Sequence, residues 1–229
     1  MTARNAHEQQ PGHSPPQEGC QGYPLIEEIL NCATHGLGAL LSLAGVVVLL
    51  VFAAMHGTGR HLVGFAVFGA TLLLLYLAST LYHGLPQPHL KRLFKKLDHA
   101  AIFLLIAGTY TPFLVLRIKG TMGWSLLGIV WGLAVVGVAF KCLSATRFRK
   151  LSVAVYLGMG WLCLVAVKQM LASVPPLGLV LLLLGGLSYT FGVVFYVWKR
   201  LPFNHALWHC FVLAGSTFHY FSVFTCLPS

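Results

Sequence analysis

Seven apolar runs separated by short polar breaks dominate the chain. They fall at about 33–55, 61–83, 98–116, 121–140, 152–172, 177–198 and 205–226. Each approaches the roughly 20 residues a helix needs to cross a bilayer. Backbone groups cannot go unpaired in lipid, so runs of this length predict helices. The breaks cover 57–60, 84–97, 117–120, 142–150, 173–176 and 199–204, and none has room for a soluble domain. The pattern predicts an all-α fold: one integral membrane bundle of seven transmembrane helices within residues 24–229. A polar tail, 1–23, rich in Pro, Gly and Gln, precedes it and reads as disordered. The tail has no apolar core of signal-peptide length. Residues 24–31 read as a short amphipathic helix leading into the membrane, with Pro24 suited to a helix start.

Composition sharpens this reading. Of 229 residues, 57% are apolar and only 9% are charged, against about 25% in a soluble domain. The six cysteines are scattered and form no CxxC pair, which speaks against a disulfide scaffold. A net charge of +10 could suggest nucleic acid, but the basic residues sit in breaks between apolar runs, with no soluble basic face. Membrane lipids are the expected partners, and nucleic acid is not.

The basic residues set an orientation. Eleven Lys and Arg lie on the amino-terminal side, counting Arg4, the loops holding Lys91 to Lys96 and Lys141 to Lys150, and Lys199 with Arg200. Four lie on the other side: Arg60, Arg117, Lys119 and Lys168. This bias predicts a cytoplasmic amino terminus and an external carboxyl terminus, as an odd number of spans requires. Gly128 and Gly132 form a small-xxx-small pair, which reads as close helix packing. Pro112 is expected to kink span three.

Ionisable groups at span ends are costly in a membrane and therefore candidates for function. Four of the five acids, Glu8, Glu18, Glu27 and Glu28, precede the first apolar run, and Asp98 is the only other one. On the predicted topology, four segments deliver polar groups to one depth on the cytoplasmic side: Glu27, Glu28, Asn31, Thr34 and His35; Ser79 and His83; Asp98 and His99; His205 and His209. His205 and His209 are four apart, so both imidazoles share a helix face and can chelate one metal ion. Ser79 and His83 have the same spacing, and Glu28, Asn31 and His35 form another stripe. Imidazole suits zinc. Three His ligands with an open fourth position hold a water whose pKa falls to about 7 in catalytic zinc sites, and a carboxylate beside it can accept the proton. Taken singly these residues have ordinary readings: His83 as an interfacial side chain, Asp98 as the N-cap of span three. Taken together at one depth they point to a metal site. His219, roughly 15 Å deeper than His209, reads as a hydrogen-bonded core group. His56, His61 and His89 sit in or beside loops, and His99 points about 100° away from Asp98 on a helix.

The ordered set Glu27-Glu28-xx-Asn31-xx-Thr34-His35-Gly36, Ser79-xxx-His83, Asp98-His99 and His205-xxx-His209 with His219 resembles the hemolysin III proteins. That family is grouped with the progestin and adipoQ receptor family and, more distantly, the alkaline ceramidases. The resemblance covers about Leu25 to Phe224, and the short loops and tail are those of its bacterial branch. It implies a seven-helix bundle with zinc near the cytoplasmic side, held by His83, His205 and His209. It also implies a water-linked aspartate at Asp98 and a motif serine at Ser79. Glu28, Asn31 and His35 are further polar site candidates, and the plasma (inner) membrane is the expected location.

Two functions follow from different classes. One is an intramembrane zinc hydrolase of a lipid amide or ester, with Asp98 as base and then acid and Ser79 assisting through a hydrogen bond. The other is a non-enzymatic pore former, cytolysin or membrane-state sensor with zinc as a structural clamp.

Overall fold

The computed structural model describes residues 23–143 and 148–228, so the polar stretch 1–22 lies outside the described residues. Seven helical segments follow one another: α1 (Leu25–His56), α2 (Gly59–Gly84), α3 (Pro88–Leu116), α4 (Gly120–Leu143), α5 (Arg149–Ser173), α6 (Pro176–Val197) and α7 (Asn204–Phe224). The described residues contain no strand. The first six are long and apolar enough to cross a membrane. The seventh is 21 residues long, but its three histidines and several hydroxyls dilute its apolar character. The predicted all-helical membrane bundle is the observed fold.

Neighbours in sequence are mostly neighbours in space. α1 packs on α2, α2 on α3, α3 on α4 and α6 on α7, while α7 returns to α1 and closes the ring. The main core lies among α1, α2, α3 and α7, around Phe65, Phe68, Leu72 and Tyr76. Smaller clusters join α3 to α4 and α5.

Two helix starts differ from the sequence expectation. Residues 24–31 are not a separate amphipathic helix; α1 runs unbroken from Leu25. Its first two turns have inverted polarity. Leu25 and Ile26 are 76% and 64% exposed, whereas Glu27, Glu28, Asn31 and His35 are buried against the other helices. α3 begins at Pro88 rather than Asp98, with proline in the first turn, where its missing N–H costs nothing. Asp98 therefore sits well inside α3 and is not a helix N-cap. Pro112 lies within α3 without ending it.

α5 is interrupted instead. Its α-helical turns stop at Trp161, pass through a 3-10 stretch over Leu162–Ala166, and resume at Val167. The Tyr110 hydroxyl of α3 serves the backbone at this break. Its oxygen lies 2.8 Å from both the Met159 and Gly160 carbonyls, to which it donates, and it accepts the Cys163 N–H at 2.7 Å. A side chain reaching into the ladder is a recognised cause of such breaks. The glycine pair of α4 also departs from expectation. Gly137 packs against Phe103, but a methyl group at Gly128 or Gly132 would meet nothing among the described residues, so neither glycine mediates helix packing among them.

Two measurements check this architecture. Tyr110→Phe leaves buried backbone groups at the α5 break unserved, a cost of about 1–3 kcal/mol; the Tm of the purified variant is expected to fall, and an unchanged Tm would refute the role. A reporter fused after residue 228 is expected to behave as external: alkaline phosphatase active, green fluorescent protein dark. The reverse pattern would invert the orientation.

Candidate metal centre

The site forms where four helices end at the same level. α7 begins at Asn204, so His205 and His209 fall in its first two turns, on one face. α2 ends at Gly84 and presents Ser79 and His83 one turn apart. α1 contributes its inverted polar stripe, and α3 brings Asp98. One ligand atom from each of His83, His205 and His209 lies within 4.8 Å of the other two, and all three residues are buried.

Hydrogen bonding decides which ring nitrogens are free. His83 Nδ1 is 2.5 Å from Glu28 Oε2, and a carboxylate only accepts, so the proton is on Nδ1. Lys91 Nζ donates to the other Glu28 oxygen at 2.7 Å. The His83 Nε2 is left buried without a partner. His209 Nδ1 is 3.2 Å from the Asn31 carbonyl and 3.3 Å from the Thr34 hydroxyl. The carbonyl can only accept, so Nδ1 carries the proton here too and Nε2 keeps its lone pair. His205 has no hydrogen bond at either ring nitrogen. Its backbone N–H donates to Glu27 Oε1 at 3.2 Å. An unpaired buried polar atom is expensive, and three imidazoles with free nitrogens facing one another fit a shared metal ion. The outer contacts are those that orient metal-bound histidines: a carboxylate on one ring and a backbone carbonyl on another.

The remaining candidates differ in what they touch. Asp98 is buried and lines the same cavity as His205 and His209. Its Oδ2 lies 3.2 Å from His99 Nδ1, so His99 does meet Asp98 although their helix positions diverge; that nitrogen also lies 2.8 Å from the Lys95 carbonyl. Ser79 is fully buried with an unpartnered Oγ. Asn31 Nδ2 is 3.5 Å from His83 Nδ1. His35 does not join the three histidines. Its ring stacks on His209 at 3.5 Å and 9° and meets Tyr76 edge-on, with both nitrogens unpartnered. His219 Nε2 donates to the Leu182 carbonyl, 3.2 Å away, as a core group, and His61 ties the α2 start to the Cys226 carbonyl at 3.2 Å.

Tyr23 was grouped with the tail on sequence grounds, yet it caps the centre. Its ring stacks on His205 at 4.7 Å and 15°. Burial, and then the neighbouring Tyr82, push its phenol pKa up. Lys199, in the loop before α7, lies over the rings of Tyr196 and Tyr23. Its ammonium is pushed down to about 8, first by burial and then by Arg149. The one sequence signal for Tyr23 is its place beside Pro24, directly ahead of the buried acids.

From the centre a cavity of ≈ 280 Å³ extends between α3, α5, α6 and α7. Asp98, His205 and His209 line one end, and Leu114, Leu126 and Leu179 lie far along it. From Asp98 to Leu114 is roughly 24 Å along a helix. Nearly all of the lining is apolar, with Ile102, Ile106 and Leu157 typical.

The sequence model of the family described as Haemolysin-III related matches residues 23–220. The chain belongs to that family. It is 48% identical over 204 residues to Hemolysin-3 of Bacillus cereus, covering 89% of this chain and 93% of that protein. To the Hemolysin-3 homolog of Bacillus subtilis (strain 168) it is 50% identical over 201 residues, 88% of this chain and 94% of the relative. A more distant relative, the Monocyte to macrophage differentiation factor of Rattus norvegicus, is 28% identical over 229 residues, with 97% and 94% covered. This haemolysin III protein thus has kin in the progestin and adipoQ receptor group, the resemblance its motifs carry.

The outer contacts generate a prediction. Loss of a hydrogen-bonding partner behind a metal-bound histidine costs about 10–100-fold in metal affinity. Glu28→Ala is expected to weaken divalent-metal binding at this group by that factor in a chelator competition assay. Affinity equal to wild type would show that Glu28 does not orient His83.

Proposed function

We propose that this haemolysin III protein is a zinc-dependent hydrolase of the plasma (inner) membrane that cleaves a lipid amide or ester. The observation that carries the reading is a group of three buried imidazoles beside a long apolar cavity that a buried carboxylate also lines. His83, His205 and His209 would hold the ion. Bound zinc supplies Lewis acidity, polarising a carbonyl and acidifying water.

The chain's own residues supply the rest. Asp98 accepts the proton of the attacking water and returns it to the leaving amine or alcohol. Its counterpart His99 holds the carboxylate in place at 3.2 Å. The free hydroxyl of Ser79 assists by hydrogen bonding. Glu28, Asn31 and Thr34 fix the faces of His83 and His209. His35 stacks behind His209 and holds its ring. The cavity takes the acyl chain: its apolar lining suits hydrocarbon, and its length approaches the roughly 30 Å of a bilayer core.

The alternative of a pore former or membrane-state sensor has less support. A water-filled path needs polar groups along its length, and the channel-like space in this bundle is walled by apolar side chains. The lytic name belongs to the Bacillus relatives.

Asp98→Asn is expected to keep about one zinc per chain by elemental analysis while losing turnover of N-acyl and O-acyl lipids, by a factor of about 10²–10⁴. Full turnover in a zinc-loaded Asp98→Asn protein would eliminate this mechanism. His205→Ala, by contrast, is expected to lose the metal itself.

A further inference from the structure

The end of the bundle opposite the histidines carries a second feature. A groove of ≈ 380 Å³ runs between α2, α3 and α4 on the outer wall of the protein, lined by Arg60, Val63, Val67, Val115, Trp124 and Trp131 among others. On α2 the lining runs inward from Arg60 through Val63 to Val67, about 10 Å of helix. On α4, Trp124, Leu127 and Trp131 form a matching stripe at i, i+3 and i+7, and Gly128 shares that face. A methyl group at Gly128 would meet nothing among the described residues, so the helix face beside the lining is open. Its inner end is held by Trp131, whose Nε1 donates to the Thr111 hydroxyl at 3.1 Å.

Arg60 is the residue without an explanation inside the chain. It is exposed, it stands on the side where basic residues are few, and no ion pair among the described residues includes it. Arg117, on the same side, is spent on the carbonyls of Thr225 and Leu227. A second copy of the protein would bring no acidic side chain to this level. Glu27, Glu28 and Asp98 are buried at the other end, and Glu8 and Glu18 precede the first helix. No acidic side chain among the described residues pairs with Arg60, and an anionic headgroup at this level can supply the counter-charge. The indole of Trp124, 66% exposed, marks the headgroup level.

We propose that this groove is a binding site for an anionic glycerophospholipid, with its phosphate on Arg60 and one acyl chain along Val63, Val67, Val115 and Leu127. The guanidinium matches a phosphate in charge and in its paired N–H groups. The open face at Gly128 leaves the width for the chain. This site is separate from the three-histidine centre and does not depend on what that centre does.

Native mass spectrometry of detergent-solubilised protein titrated with dioleoylphosphatidylglycerol tests it. Wild type is expected to retain one tightly held lipid per chain. Arg60→Gln is expected to weaken that binding by at least about tenfold, since a charge-assisted contact is lost. Gly128→Leu, which puts a bulky side chain beside Trp124 at the groove edge, is expected to weaken it at least about tenfold, while Tm holds or rises because leucine is a better helix former than glycine. Lys119→Gln, on the same side but outside the groove lining, is expected to bind as wild type. Equal lipid retention in wild type, Arg60→Gln and Gly128→Leu overturns the proposal. So does a wild-type dimer that Gly128→Leu converts to a monomer with lipid binding unchanged, because the groove would then hold a second copy.

Discussion

A carboxylate clasped between an imidazole and an ammonium fixes the centre of this molecule. Glu28 accepts from His83 on one oxygen and from Lys91 on the other, joining α1, α2 and α3 at one point. In an apolar bundle a lone carboxylate is a liability, and breaking such a buried arrangement by removing one partner typically costs about 3–5 kcal/mol. The same contact places the proton of His83 on Nδ1 and turns Nε2 toward the other two histidines. Stability and chemistry therefore rest on one set of hydrogen bonds.

The inverted start of α1 follows from this. Its first turns carry acids, an amide and a histidine that need partners, and the partners exist only inside the ring of helices. The apolar side chains of those turns face outward, where lipid solvates them. The helix is thus amphipathic in the opposite sense to a soluble one. Its polar face supplies the backing of the metal centre, and its apolar face supplies the anchorage.

The number and order of the helices were legible because a membrane span has a length that hydropathy records. The convergence of His83, His205 and His209 was legible because spacing along a helix fixes direction and the basic loops fix depth. Other features depend on contacts that periodicity does not encode. Glu27 and Glu28 look like a leader ahead of the membrane until the buried partners of α1 are seen. Asp98 followed by an apolar run mimics a helix start, although Pro88 already begins the helix ten positions earlier. Tyr110 and the broken α5 lie some fifty residues apart and meet only in the folded chain. Gly128 and Gly132 carry the spacing of a packing motif, but spacing alone does not say what occupies the facing space.

The distribution of the three histidines has a temporal meaning. His83 ends the second helix, whereas His205 and His209 begin the seventh. Two of the three ligands therefore reach the membrane only with the last span. Until α7 docks against α1, His83 stands alone with Glu28, and no chelating group exists. Capture of an ion by these three histidines would consequently be a late event in biogenesis. An ion bound at this centre marks a ring of helices that has closed.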